Sequence, residues 1–126
     1  MEDRQMQFED LEAWQLARLQ VVAIYRLFDS EATQRDFGLK GQITRAAVSV
    51  MSNIAEGFER LNLKEKGHFY NIALASNGEV RSLLYVVADV YPAYAEPALK
   101  TQQSTIKIGK LISGLIRSTA ARSNEP

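Results

Sequence analysis

Apolar residues recur at spacings of three, four and seven along most of this chain, and this periodicity limits the folds open to it. In the first segment the apolar positions are Leu11, Trp14, Val21, Tyr25 and Phe28. Such spacing matches the 3.6-residue turn of an α-helix that buries one face. No stretch of the sequence alternates apolar and polar residues in the way that a half-buried strand requires. The sequence therefore predicts an all-α protein.

The same periodicity predicts four helices, separated by short polar or proline-containing segments. Their expected bounds are about residues 10–28, 39–58, 63–91 and 97–121. Because short loops join neighbouring helices that run in opposite directions, we expect an antiparallel up-down-up-down bundle. A chain of 126 residues has the size of one domain, so residues 1–126 are expected to form a single bundle.

Capping and turn residues mark the predicted helix ends. Asp10 is a typical N-cap for the first helix, and Gly57 is expected near the end of the second. Asn62 begins a capping box for the third helix, and Pro97 suits the first turn of the fourth. Gly78 lies inside the third helical pattern, and we interpret it as a point of close contact between two helices.

Charge and composition exclude several classes of protein. The chain has no cysteine, which excludes disulfides and zinc–thiolate sites, and its formal net charge is zero. A protein that coats nucleic acid usually carries a large positive charge. The charges are nevertheless separated, because residues 1–12 have a net charge of −4 and residues 100–126 one of +4. A candidate nucleic-acid patch in the fourth helix consists of Lys107, Lys110, Arg117 and Arg122. The alternative is a solvated face that the helix dipole favours.

The location of the protein is predicted from what its sequence lacks. The N-terminal residues contain no apolar stretch that would indicate a signal peptide. No segment has the roughly 18 consecutive apolar residues that a membrane span needs. We therefore expect a cytoplasmic protein that has no contact with a membrane.

The second helix carries a second stripe that is polar but poor in charge. Its members are Gln42, Arg45, Ser49, Asn53 and Glu56. A helix face in water normally carries several lysines or glutamates, so we interpret this stripe as a buried, internally paired network that fixes helix register. The alternative is a binding site or polar groove.

An antiparallel hairpin of the second and third helices predicts partners for that stripe. Paired positions should have residue numbers that sum to about 125 when the turn lies near residues 59–63. The expected pairs are Ser49 with Ser76, Asn53 with Ile72, and a partly buried ion pair of Arg45 with Glu79.

Motifs for catalysis and for cofactors are nearly absent. Glu65 and His68 match one Glu-x-x-His motif of di-iron bundles, but His68 is the only histidine and such sites need two. The sequence has no glycine-rich phosphate-binding motif. We therefore expect no enzyme activity, no cofactor and no metal. An enzyme that used Arg45 and Glu56 would need both groups open to solvent in one cleft.

The run of residues 42–57, Gln-Ile-Thr-Arg-Ala-Ala-Val-Ser-Val-Met-Ser-Asn-Ile-Ala-Glu-Gly, resembles the signature of a bacterial protein family. This family is called the four helix bundle protein family, or the 23S rRNA-intervening-sequence protein family. Further similar positions are Phe8, Leu11, Trp14, Ala17, Arg60, Phe69, Ala73, Ser76 and Glu79. The resemblance covers about residues 8–91, with Gly78 and Val80 as departures from the usual pattern.

The resemblance implies a left-handed up-down bundle that assembles as a ring-shaped homopentamer. It also implies kinship with the accessory variability protein of diversity-generating retroelements, which binds nucleic acid and a reverse transcriptase through a basic surface. The present chain, with a net charge of zero, departs from those basic relatives.

These observations together predict a homo-oligomeric scaffold without catalytic activity. The first two helices are apolar or uncharged over more than one face, and the surplus surface is expected to lie between subunits. The expected client is RNA, DNA or a nucleic-acid enzyme. The alternative is a protein-interaction module that binds no nucleic acid.

Overall fold

The computed structural model describes residues 5–124, and this part of the chain is an all-α four-helix bundle without strands. The four helices are α1 (Glu12–Arg26), α2 (Phe37–Glu59), α3 (Leu63–Val90) and α4 (Ala95–Ser123). Short 3-10 turns precede α1 at Phe8–Asp10 and α4 at Pro92–Tyr94. The prediction of an all-α fold with four helices is confirmed.

The start of α1 differs from the prediction because Asp10 serves another turn. The backbone N–H of Gln7 donates to Asp10 Oδ2 at 2.8 Å, which closes the 3-10 turn. Leu11 then occupies the N-cap position of α1 and makes no side-chain cap. The helix therefore begins at Glu12, two residues after the predicted N-cap.

Asp36 determines where α2 begins. Its Oδ1 accepts a hydrogen bond from the backbone N–H of Leu39 at 3.2 Å, so the helix starts at Phe37 rather than at Leu39. Its Oδ2 accepts a hydrogen bond from the Tyr91 hydroxyl at 2.7 Å. This bond ties the start of α2 to the end of α3, and it raises the pKa of Tyr91, with smaller contributions from burial and from the Asp36 charge.

The start of α3 agrees with the prediction, whereas α4 begins two residues before the predicted start near Pro97. Asn62 Oδ1 accepts a hydrogen bond from the backbone N–H of Glu65 at 3.1 Å, and α3 begins at Leu63 as predicted. Helix α4 begins at Ala95, and Pro97 lies in its first turn, where no intrahelical N–H is required.

The hydrophobic core lies between the helices and receives side chains from all four. The largest fully buried apolar residues are Phe28, Ile24, Ile43, Ile54, Leu84, Ile108 and Ile112. Burial of each such side chain contributes about 1.5–3 kcal/mol relative to exposure. The stripe predicted for the first segment is buried only in part, since Leu11 and Phe28 lie in the core, Trp14 and Val21 are half-buried and Tyr25 is exposed. The buried face of α1 itself consists of Ala13, Ala17, Gln20 and Ile24.

Two glycines of the bundle have different surroundings. Gly57 lies near the end of α2 as predicted, two residues before Glu59, and it is buried against the ring of Tyr70. Gly78 is exposed, and a Cβ placed there would meet no atom within 4 Å. The interpretation of Gly78 as a close helix contact is wrong, because its position on α3 points the missing side chain to solvent.

Within residues 5–124, none of the helices combines the length and the apolar character needed to cross a bilayer.

Candidate functional site

At the centre of the polar stripe of α2, the side chains form hydrogen bonds with α3 and with the α2 backbone. Ser49 Oγ and Ser76 Oγ lie 2.8 Å apart, which is the contact that the hairpin register predicts. Asn53 Nδ2 donates to the Ser49 carbonyl at 2.8 Å and to Ser49 Oγ at 3.0 Å. Its predicted position opposite Ile72 stays a prediction, because Ile72 has no polar side-chain atom. Ser49 and Asn53 are the half-buried members of the stripe.

The expected Arg45–Glu79 ion pair does not form, and that prediction is wrong. Both side chains are exposed, so water solvates their charges without any need for a partner. Arg45 extends along its own helix, and a Cβ at Gly41 would lie 3.0 Å from Arg45 Nη1. The glycine leaves room for this conformation.

The ends of the stripe also face solvent. Gln42 is exposed, and Glu56 pairs with Arg60 Nη2 at 2.9 Å in an exposed i,i+4 contact. A pair of this kind is worth less than about 1 kcal/mol. The stripe is therefore a mostly exposed, weakly charged surface in the single chain rather than a buried network.

The four cations predicted as a nucleic-acid patch are all exposed, but they do not lie together. Lys107 Nζ lies 3.7 Å from Glu12 Oε1, so it belongs to the side where α4 meets α1. This contact brings one acid of the negative N-terminal segment to a cation of the positive C-terminal segment. Lys110 and Arg117 line a groove between α3 and α4, whereas Arg122 lines a different cavity.

The groove between α3 and α4 is a concave surface with three cations and no acid in its lining. Arg81 joins Lys110 and Arg117 in its lining, and none of the residues that line it is acidic. Its volume is about 430 Å³. Sequence reasoning missed Arg81, although its position four residues after Asn77 places both on one face of α3.

Asn77 and Gly109 form the floor of this groove. Asn77 Nδ2 donates to the Thr105 carbonyl of α4 at 2.8 Å, while Asn77 Oδ1 is buried without a partner among residues 5–124. A Cβ at Gly109 would lie 3.3 Å from Asn77 Nδ2, so the glycine permits this close approach of the two helices. Exposed guanidinium and ammonium groups above this floor can bind phosphate or carboxylate oxygens.

Arg122 lies near a second group of cations, around the turn between α2 and α3. Lys66 Nζ donates to the carbonyls of Gly57 and Phe58 at 3.2 and 2.7 Å and so completes the end of α2. Burial lowers the pKa of Lys66, the Arg122 guanidinium lowers it further, and Glu59 opposes the change. Burial raises the pKa of the adjacent Tyr70, which Arg122 partly offsets. Lys66 therefore has a structural role that its sequence position did not indicate.

The single histidine lies between α3 and α4. His68 is exposed and lines a cavity of about 480 Å³ between the start of α3 and the end of α4. In the described chain, no group of three or more histidines, aspartates or glutamates is close enough together to hold a metal ion.

The fold and these positions can be compared with known proteins. A family model described as 23S rRNA-intervening sequence protein matches residues 9–114. The chain belongs to the 23S rRNA-intervening sequence protein family. The match includes the whole of the polar stripe and also residues Lys107 and Lys110 of α4, but it stops before Arg117 and Arg122. The resemblance seen over residues 8–91 is thereby confirmed and extended into α4. No curated protein matches this member of the family.

Proposed function

We propose that this family member is a cytoplasmic, non-catalytic scaffold, built as an antiparallel up-down-up-down bundle and assembled as a ring-shaped homopentamer. The exposed apolar surface of α1 and α2 carries the proposal. Leu19 is 65% exposed, Tyr25 46%, Val22 43% and Val48 42%. Burial of such side chains between subunits is favourable by about 25 cal/mol per Å². The number of subunits and their arrangement in a ring are inferred from the family resemblance.

Contacts along the helices support the antiparallel arrangement. Ser49 meets Ser76 and Phe58 meets Lys66, so residue numbers rise on α2 as they fall on α3. On the next pair of helices, Asn77 bonds to Thr105 and Gln102 Nε2 donates to the Arg81 carbonyl at 3.2 Å. Each of these pairs fits an up-and-down course of the chain.

The absence of catalysis is proposed because the two candidate catalytic residues, Arg45 and Glu56, do not share a cleft. Glu56 pairs with Arg60, and Arg45 lies beside Gly41 on its own helix. An acid–base pair needs both groups within reach of one substrate atom. Arg45 lines a shallow cleft with Tyr25 and Ser49, and Glu56 is not among the residues that line it.

The assembly is tested by measuring the mass of the full chain in solution. We expect light scattering to give about five times the chain mass of 14.1 kDa, with each interface burying more than about 1,000 Å². Leu19→Glu and Val48→Glu each place a charge on the apolar surface and should reduce that mass. Lys64→Glu, at an exposed position of α3, is the control and should leave the mass unchanged. A stable monomer of the unmodified chain would contradict both the number and the argument from exposed apolar surface.

We also propose that the client is a nucleic acid or a nucleic-acid enzyme, reached through the groove between α3 and α4. Its support is the cluster of Arg81, Lys110 and Arg117 without an acidic neighbour in the lining. Because the net charge is zero and Lys107 is close to Glu12, attraction to phosphate depends on local clusters such as this one. At physiological salt the Debye length is about 8 Å, so such a small cluster is strongly screened.

We therefore expect weak, non-specific binding of RNA and duplex DNA at low salt that disappears near about 0.15 M salt. Each phosphate neutralised on a duplex adds about 0.9 to the slope of log affinity against log salt. Replacing Arg81, Lys110 and Arg117 with glutamine should abolish the low-salt binding, whereas Lys107→Gln should leave most of it. Titration of the unmodified chain and of each variant with labelled RNA and DNA at several salt concentrations measures the affinity and its salt dependence.

A protein-interaction module that binds no nucleic acid is the second candidate, and the zero net charge favours it. In that case the titrations give no binding even at low salt. Tight binding that survives about 0.15 M salt would instead favour the role of the retroelement relatives.

A further inference from the structure

The exposed apolar residues of α1 and α2 form one continuous surface. Arg18, Val22 and Tyr25 follow one another on α1 at spacings of four and three, so they share one side of that helix. Tyr25 lines a shallow cleft of about 300 Å³ together with Arg45 and Val48 of α2, and this cleft joins the exposed sides of the two helices. We call this surface the α1–α2 face, and its residues are Arg18, Leu19, Val22, Tyr25, Arg45 and Val48.

The charges on and beside this face are all positive. Arg18 and Arg26 are the only charged residues of α1 from residue 13 to residue 26, and Lys40 and Arg45 are the only ones of α2 from residue 37 to residue 55. The three arginines are exposed, and none of them has an ion-pair partner among residues 5–124. A second copy of the same face would bring like charges together, which is unfavourable, so a negatively charged surface is the better partner.

The exposed side of α3 carries a stripe with the opposite charge. Glu79, Leu83, Val86 and Val90 recur at spacings of four, three and four, so they share one side of the helix. Val86 is 39% exposed and Val90 56%, while Leu83 is half-buried. Asp89 adjoins Val90 and, like Glu79, is exposed without an ion-pair partner in the described part of the chain. We call these five residues the α3 stripe.

No cation of the same half of α3 shares the side of the helix that carries this stripe. The only cation from residue 71 to residue 90 is Arg81. It follows Glu79 by two residues, which places it roughly 160° away around the helix. Arg81 lines the groove between α3 and α4 instead. The α3 stripe is therefore an apolar strip with acidic neighbours, whereas the α1–α2 face is an apolar surface with basic ones.

The two surfaces belong to different sides of the bundle. Helix α1 packs against α2 and α4, and α3 packs against the same two helices, so α1 and α3 occupy opposite corners. An interface between two unlike surfaces is heterologous, and it repeats from one copy to the next until a ring closes. Contact between two copies of one surface would stop at a dimer.

We propose that the α1–α2 face of one subunit binds the α3 stripe of the next subunit. The apolar side chains of the two surfaces pack together at the centre of the interface, and the arginines of the first surface lie near Glu79 and Asp89 of the second. An apolar centre with a polar rim is the usual anatomy of a protein interface. The inference rests on the proposed homo-oligomer and names the two surfaces that form its interface.

The first test asks whether two defective variants complement each other. One variant carries Leu19→Glu and Val48→Glu, which disable the α1–α2 face, and the other carries Val86→Glu and Val90→Glu, which disable the α3 stripe. Each variant alone should have the mass of one chain, 14.1 kDa, by light scattering. An equimolar mixture should give twice that mass and no more, because one intact pair of surfaces remains. Formation of this pair also shows that both variants are folded.

A second test reverses the charges of the interface. Replacing Arg18 and Arg26 with glutamate should weaken assembly at least about tenfold, because like charges then meet between subunits. Replacing Glu79 and Asp89 with lysine should have the same effect, and all four substitutions in one chain should restore most of the affinity. Since α1 and α3 occupy opposite corners of one bundle, such a restoration cannot come from a contact within one chain.

Light scattering over a dilution series measures these affinities, since it gives the concentration at which the assembly dissociates. The control is Lys110→Glu, which reverses a charge in the groove between α3 and α4 and should leave the affinity unchanged.

Two results would overturn this inference while leaving the proposed assembly intact. One is an unmodified chain that assembles together with a Val86→Glu, Val90→Glu variant of the same assembled mass. The other is an unmodified chain that assembles together with a mixture of the two defective variants that keeps the mass of one chain even at about 0.1 mM. A monomeric unmodified chain would contradict the proposed assembly and this interface together.

Discussion

Replacing Gly57 with alanine is expected to destabilise the bundle by about 1–3 kcal/mol, although alanine is the better helix former. A Cβ at this position would lie 2.6 Å from both Cδ1 and Cε1 of Tyr70. Tyr70 is only 3% exposed, so its ring has little room to move away. Urea denaturation at a fixed protein concentration measures the loss, because an oligomer's stability depends on concentration.

Gly78 on α3 is a control that separates the effect of packing on stability from that of helix propensity. A Cβ at Gly78 would contact nothing within 4 Å, so Gly78→Ala should stabilise the protein by about 0.5–1 kcal/mol. The double variant Gly57→Ala with Tyr70→Leu removes the clashing ring atoms, and its loss should be smaller than the sum of the two single losses by about 0.5–3 kcal/mol. Additive losses would mean that the Tyr70 contact does not explain Gly57.

The largest single loss of stability is expected for Phe28→Ala. Phe28 is 1% exposed and follows α1, where the chain turns towards α2. Truncation of a buried phenylalanine leaves a cavity and costs about 3–5 kcal/mol. A domain of this kind has only about 5–15 kcal/mol in total, so the variant should unfold at a much lower urea concentration or temperature.

The control for this variant is the same substitution at Phe37. Phe37 is 75% exposed at the start of α2, so Phe37→Ala should change the free energy of unfolding by no more than about 0.5 kcal/mol. Equal losses for the two variants would contradict the assignment of Phe28 to the core. A reduced assembled mass for Phe37→Ala would instead identify Phe37 as part of a subunit interface.

Periodic and local signals in the sequence accounted for most of the fold. The helix count and the start of α3 at Leu63 depend on spacing along one helix or on a cap within one turn, and both can be read from neighbouring residues. The start of α1 differs from the prediction because Asp10 bonds to Gln7 rather than capping the helix. The start of α2 differs because its cap is Asp36, three residues before the predicted first residue Leu39.

The candidate site was less predictable because it depends on how helices pair. The register of the α2–α3 hairpin gave the Ser49–Ser76 contact correctly, since short polar side chains reach only a direct neighbour. The same register failed for Arg45, because a long cation in water can lie along its own helix over Gly41. The grouping of Arg81 with Lys110 and Arg117 required the α3–α4 pairing, for which the sequence contained no register signal.

The sequence by itself determined that this chain is an all-α bundle of the 23S rRNA-intervening sequence protein family, because helical periodicity and family signature are properties of residues in order. Only the tertiary structure decided which side chains share a surface. It divided the C-terminal cations between separate sites, placed Gly57 rather than Gly78 in close contact, and left the Gln20 amide buried without a partner among residues 5–124. The physical reason is that these features depend on distances between helices, and such distances are fixed by packing of the whole core rather than by any one segment.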